Sequence, residues 1–242
     1  MRSKLYSKYA KKYDNAVQNN IYNAHFERPS LLSMLDSVSG LNVLDLGCGS
    51  GIYAEYLINQ GAKVTSIDVS EEMINIVKER LGNKVKTYIQ DLSIGLPKEH
   101  SGTFDIVISP LMIHYIEDLT QLFSDINRVL KKDGYFIFST HHPFMDFQST
   151  NTGNYFDREL LIEKWDTIGK PVEVSFYRRS LTEIFDFISN SGLVVIGLSE
   201  GMPSDEMKVI SQESFEHLSR NPQFIFFKCK KTHNLQPEAT EI

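Results

Sequence analysis

The chain of 242 residues is 41% hydrophobic and sets 25 basic against 31 acidic residues, a formal net charge of −6. That length and apolar content suit one α/β domain with room for an insertion. The lack of an 18-residue apolar run argues against a membrane span, and the acidic balance argues against nucleic acid as the main partner, because phosphate neutralisation needs clustered Lys and Arg.

The first residues, Met1 to Tyr9, are basic without the apolar block of a signal peptide. Two cysteines, Cys48 and Cys229, make no disulfide framework and fit a reducing cytoplasm. Residues 3–20 are polar and aromatic and predict a helix. Residues 29–38 predict a second, with Pro29 in its first turn and Leu31, Leu32 and Leu35 on one face. Residues 41–46 read as the first strand, 52–59 as a helix stopped by Gly61, and 63–68 as the second strand. Ser70 then offers an N-cap, with Glu71 and Glu72 in the first turn where the helix dipole favours them. Strands follow at 85–89 and 104–109, a helix at 117–131 with Leu119, Leu122, Ile126, Val129 and Leu130 as its stripe, and a fifth strand at 135–140.

Residues 142–179 break the rhythm with seven aromatic residues and little periodicity, and read as an insertion over the sheet edge. Ser180-Leu-Thr-Glu183 is a capping box that opens another helix, and residues 193–198 and 224–230 read as the last strands. Alternating strands and helices predict a doubly wound, mostly parallel sheet. The division is residues 1–40 as N-terminal helices over the site, 41–141 as the core, 142–179 as the insertion (a candidate acceptor lid, with a small hydrophobic satellite cluster as the alternative), 180–231 as the rest of the sheet, and 232–242 as a disordered tail.

Three glycines at alternate positions, Gly47, Gly49 and Gly51, link the first strand to a helix, and Asp68 closes the second strand. Glycine lets backbone approach a ligand closely, and an acid at that strand end accepts hydrogen bonds from ribose hydroxyls. A dinucleotide fingerprint places its third glycine one residue later, at Ile52, so an NAD-linked oxidoreductase is the weaker reading. Val43-Leu-Asp-Leu-Gly-Cys-Gly-Ser-Gly51 resembles the first motif of the class I S-adenosylmethionine (SAM)-dependent methyltransferases. Ile67-Asp68-Val69-Ser70, Gln90-Asp91-Leu92, Phe104 to Ser109 and Arg128 to Phe136 continue the likeness.

The resemblance implies a seven-stranded sheet with the last strand antiparallel, and SAM as cofactor. It also implies roles. Asp45 orients the methionine end of SAM, while Gly47 and Gly49 let the backbone touch it and Cys48 is a small spacer between them. Asp68 holds the ribose hydroxyls, Val69 and Met73 lie against the adenine, Asp91 accepts from its amino group, Leu92 covers the ring, and Ser109 lines the methionine side. An N-terminal tyrosine, here Tyr13, closes over the methionine end.

Methyl transfer from a sulfonium is an in-line displacement that needs no metal. Alignment alone can supply roughly 7–11 kcal/mol. A hydroxyl or carbon acceptor would also need a base, and His114, His141 and His142, after the fourth and fifth strands, are the candidates. Each has a scaffold alternative, His114 by packing against the nucleoside. Arg178 and Arg179 are candidates to bind an anionic acceptor, with pairing to surface acids as the alternative. The expected partner is a small-molecule acceptor whose reacting atom (O, N, C or S) is not readable, and neither is the oligomeric state. A non-catalytic SAM-binding protein and a methyltransferase acting on protein or RNA are the alternatives.

Overall fold

A computed structural model describes residues 3–231; the expected tail from Thr232 lies outside the described residues. Helix α1 spans Ala10–Val17, and a π-helical turn at Asn23–Glu27 leads into α2, Arg28–Ser33. The core then alternates: β1 Asn42–Leu46, α3 Ile52–Asn59, β2 Lys63–Asp68, α4 Glu71–Leu81, β3 Lys86–Ile89, β4 Phe104–Ser109, α5 Thr120–Val129 and β5 Leu130–His141. After it come α6 Pro143–Asp146, the hairpin strands β6 Glu159–Trp165 and β7 Val172–Arg178, α7 Leu181–Asn190, β8 Leu193–Ser199, α8 Glu206–Ile210, α9 Gln212–Leu218 and β9 Phe224–Lys231.

The main sheet has seven strands in the order β3-β2-β1-β4-β5-β9-β8. Strands β1 to β5 pair in parallel, and β9 runs antiparallel between β5 and β8. The chain leaves β1 toward β2 and β3, then crosses back to β4. The crevice at the carboxyl ends of β1 and β4 is therefore the switch point where open α/β sheets bind ligands. Period-two alternation divides the core. Leu44 and Leu46 face the layer holding Phe123, Ile126, Ile184 and Ile188. Val43, Val64, Ile106 and Ile108 face the opposite layer, with Leu57, Ile74 and Val77. No helix among the described residues is long and apolar enough to cross a membrane.

Several predicted boundaries move, for identifiable reasons. The helix expected over 3–20 is confined to Ala10–Val17, and the one expected over 29–38 stops at Ser33. The predicted helix 117–131 ends at Val129, because Leu130 already pairs with Phe104 in the sheet. The register then shifts before Tyr135 meets Ile106, so the fifth strand is twice its expected length. Gly134 sits in that irregularity, where a Cβ would lie 2.9 Å from the Asp105 carbonyl oxygen and 3.1 Å from that of Phe104. The aperiodic 142–179 segment contains the β6–β7 hairpin. Its inward residues Leu161, Val174 and Phe176 are buried, while Leu160 and Ile162 on the outer face are apolar and exposed. Apolar residues on both faces hide the period of two. The Ser180 capping box forms as expected, with Ser180 Oγ accepting from Glu183 N at 3.1 Å.

The Gly134 contacts are with backbone, which cannot swing aside. Gly134→Ala is therefore expected to destabilise the fold by about 1–3 kcal/mol, read as a lower unfolding midpoint in calorimetry.

Candidate cofactor-binding site

Ten residues singled out in the sequence line one cavity of about 330 Å³: Tyr13, Asp45, Gly47, Cys48, Gly49, Asp68, Val69, Met73, Asp91 and Leu92. The glycine loop forms its floor. Gly47, Gly49 and Gly51 have φ of +69°, +52° and +83°, the left-handed region that glycine enters without steric cost. Gly47 has a second reason to lack a side chain: a Cβ there would lie 2.2 Å from Met112 Cγ, in the turn after β4. The amides of Gly47 and Cys48 both donate to the Ile67 carbonyl, at 2.8 and 3.0 Å, which hangs the loop from β2.

Asp68 holds the loop as well as lining the cavity. One carboxylate oxygen accepts from Gly49 N at 2.9 Å and the other from Ser70 N at 2.8 Å. Ser70 in turn caps α4, accepting from Met73 N at 3.2 Å. A carboxylate has about four lone-pair sites, so these bonds leave acceptor capacity toward the cavity. Asp91 is likewise shared: it lines the cavity and accepts from Ser93 N at 2.9 Å, an Asx turn.

Asp45 is different. It is fully buried, and neither carboxylate oxygen has a hydrogen-bond partner. Burial, and then the Asp68 charge, push its pKa up to about 8, with the nearby Ser66 hydroxyl pulling the other way. An orphaned acid aimed into a cavity is complementary to a cation. The rest of the wall agrees: Glu27, Asp45, Asp68 and Asp91 face a single guanidinium, Arg28. Arg28 donates to the Val17 carbonyl at 2.9 Å, and its buried Nε has no partner. Asp45 and Arg28 thus present an unpaired acid and an unpaired donor to the same space, the complement of a zwitterionic amino-acid tail.

Sequence reasoning missed Glu27, Arg28, Tyr53, Tyr6 and Tyr115. Glu27 accepts from Ser139 Oγ at 2.7 Å and Tyr53 OH at 2.8 Å. Burial pushes its carboxyl up to about 7, against those two hydroxyls and Arg28. The one available signal was an adjacent Glu-Arg pair opening the apolar 29–35 stretch. Above the cavity, the N-terminal segment folds over the cap of α4, with the Tyr6 carbonyl accepting from Ser70 Oγ at 2.6 Å. The Tyr6 and Tyr115 hydroxyls meet at 2.5 Å, and Tyr13 stands edge-on to Tyr6. Arg80 anchors this cover, pairing with Asp14 of α1 at 2.7 Å and donating to the Ser50 carbonyl at 2.8 Å.

The three candidate histidines stand one layer back from the cavity wall. His114 is buried and stacks on His141 at 4.1 Å between ring centroids, touching the cavity through Tyr115. Burial and the neighbouring His141 hold its pKa well below the usual imidazole range. His141 approaches Asp146 at 3.3 Å, and His142 caps α6 with its other nitrogen 2.9 Å from Glu200. Ser109 ends β4, buried with its hydroxyl unpartnered, one residue before the lining begins at Pro110. Arg178 and Arg179 are not anion-binding groups. Arg178 is sealed against Glu159 and the carbonyls of Asn154, Tyr155 and Asp157, and Arg179 against those of Ile116 and Glu117.

Residues 44–138 match the family model for a methyltransferase domain. An uncharacterized protein of Haemophilus influenzae is 26% identical over 86% of this chain and 88% of its own length. The ubiquinone biosynthesis O-methyltransferase of Vibrio campbellii is 34% identical over 46% of the chain, which spans about half of that enzyme's length (48%). Among solved structures, a Listeria monocytogenes protein assigned to the SAM-dependent methyltransferases superposes with a TM-score of 0.72 at 26% identity, covering 86% of this chain and 97% of that one.

The Asp45 carboxyl predicts a pH effect on stability. Its folded pKa lies above the unfolded value of roughly 3.9, so its contribution is full below that value and is lost as pH rises through about 8. Asp45→Asn should therefore raise the thermal midpoint of the unliganded protein at pH 9, by roughly 1–4 kcal/mol of stability. At about pH 4 the two midpoints should nearly coincide, and equal differences at both pH values would refute the assignment.

Proposed function

By its domain and fold the chain is a member of the class I SAM-dependent methyltransferases, and we propose that it transfers the SAM methyl group to a small molecule by direct displacement. The observation that carries this reading is the buried, unpartnered Asp45 carboxylate in an acidic cavity between the glycine loop and Asp68. SAM carries a sulfonium and an ammonium against one carboxylate, and the wall has the opposite balance. Asp45 would receive the ammonium and Arg28 the carboxylate of the methionine tail. Asp68 would hold the ribose hydroxyls, Asp91 the adenine amino group, and Val69, Met73 and Leu92 the ring faces. Tyr6, Tyr13 and Tyr115, with Ser175 of the hairpin, cover the cavity. That cover favours a small acceptor over a protein or RNA, which would call for an open basic surface. The 142–179 insertion is then an acceptor lid, excluding water and aligning the acceptor. The name of the Vibrio relative supports oxygen as one acceptor atom to test first. With His114 and His141 stacked behind Tyr115 and His142 turned to Glu200, catalysis rests on alignment, and His114→Ala is expected to change turnover less than Asp45→Asn does.

Calorimetric titration tests the cofactor. SAM and S-adenosylhomocysteine should bind and NAD should not; NAD binding without SAM binding would overturn the proposal. Asp68→Asn, which keeps the shape and removes the charge, should weaken SAM by tenfold or more, about 1–3 kcal/mol. Because Asp45 is mainly protonated at pH 7, pairing with the ammonium should release close to one proton per SAM. Titrations in buffers of different ionisation enthalpy would count it, and Asp45→Asn should abolish most of the release. Isotope-labelled SAM incubated with a metabolite extract would then identify the acceptor.

A further inference from the structure

Glu27 ends the π-helical turn Asn23–Glu27, a rare geometry that recurs at functional sites. It is buried in the cavity wall, and its two oxygens accept from two different elements, Tyr53 OH of α3 and Ser139 Oγ of β5. Ser139 passes the connection on: its hydroxyl oxygen accepts from Leu111 N at 3.0 Å, and its backbone carbonyl shares the same amide at 3.2 Å. Leu111 has a φ of +47°, the one non-glycine residue with a positive φ among the described residues. A leucine keeps such backbone only where its surroundings over-determine it. Its neighbours explain why the geometry matters. Pro110, Leu111 and Met112 all line the cavity, and Met112 occupies the space of the missing Gly47 side chain. The 110–112 turn therefore sets the gap above the glycine loop.

The chemistry of a hydroxyl makes this a chain and not a set of neighbours. Ser139 has one proton. While it is donated to Glu27, the oxygen lone pairs are turned toward the Leu111 amide. The same holds for the Tyr53 hydroxyl. An ionised Glu27 accepts both hydroxyl protons. A neutral acid or an amide at this position is itself a donor on one side, so the hydroxyl on that side must reverse, accepting from position 27 and sending its own proton elsewhere. We propose that Glu27 is a positioning residue of the cofactor cavity: its carboxylate, acting through Ser139, holds the strained Leu111 turn at the spacing the ligand requires. The claim deepens the cofactor reading of this cavity, and its first test is independent of the ligand. The ionisable groups facing Glu27 are Arg28 beside it, Tyr53 on α3 and Tyr13 on α1. Since the Glu27 carboxyl titrates at about 7, the holding form dominates above that pH.

Hydrogen exchange of the Leu111 amide in the unliganded protein, corrected for intrinsic rate and followed by NMR, reads the chain directly. In wild type its protection should rise about tenfold between pH 6 and pH 8.5. In Glu27→Gln and in Ser139→Ala the step should be absent, leaving at both pH values the protection that the Ser139 carbonyl alone gives, the Ser139 variant being the milder change should Glu27→Gln fail to fold. A wild-type rise in either variant overturns the proposal, whereas a purely structural role would lower thermal stability without removing the step. S-adenosylhomocysteine affinity at pH 8.5 is the second measurement. Each single variant should weaken it about five- to twentyfold, and the double variant no further, because the two act in one chain. Additive losses, or none, would sever the turn from ligand affinity. Should wild type bind neither SAM nor S-adenosylhomocysteine, the cofactor reading fails, and the exchange measurement alone decides the positioning role.

Discussion

The Asp68 carboxylate takes the Gly49 amide on one oxygen and the Ser70 amide on the other, at 2.9 and 2.8 Å. Those bonds join the three parts of the site. The glycine loop follows β1, the acid closes β2, and Ser70 begins α4. Ser70 also reaches the Tyr6 carbonyl, so the N-terminal cover is tied to the same point. A residue without that carboxylate would release the loop and loosen the start of α4 at once. Charge-assisted bonds to backbone amides are among the stronger ones available to a protein, which is why one side chain can organise so much of the cavity.

The price of that organisation is a concentration of negative charge. Asp45, Asp68 and Glu27 line one cavity, and two of them, Asp45 and Glu27, are pushed up into the neutral range by burial. Glu27 is compensated by two hydroxyls, whereas neither Asp45 oxygen has a hydrogen-bond partner among the described residues. A fold selected for stability alone would hold an amide or an apolar residue there. An acid buried in this way makes protonation and stability one linked equilibrium.

The cover over the cavity is assembled from distant parts of the chain. Leu5, Tyr6, Tyr9 and Tyr13 pack with Val172, Val174 and Trp165 of the hairpin and with Tyr115 after β4. The β6–β7 hairpin pairs with no strand of the main sheet, so it holds its place through this aromatic cluster and through buried Arg178 and Arg179. The arginines that were candidates for an anionic acceptor thus brace the hairpin, and His114 and His141 pack against its Phe176.

The sequence by itself determined the sheet, the glycine loop and many of the residues that line the cavity. These depend on local patterns: hydrophobic period, glycine spacing, and an acid at a strand end beside a cap. Asp45, Asp68, Asp91, Met73 and Leu92 lie where those patterns predict because each is within a few residues of the element that positions it. Only the tertiary structure decided the rest. Glu27 joins the site through Ser139, 112 positions away, and Tyr6 meets Tyr115 across 109 positions. His114, His141 and His142 follow the expected strands, yet His114 and His141 pack against Phe176, and His142 turns to Phe144 and Glu200, so none of them lines the cavity. Contacts between distant segments leave no period or spacing in the chain, so what they build becomes visible only when the segments are folded together.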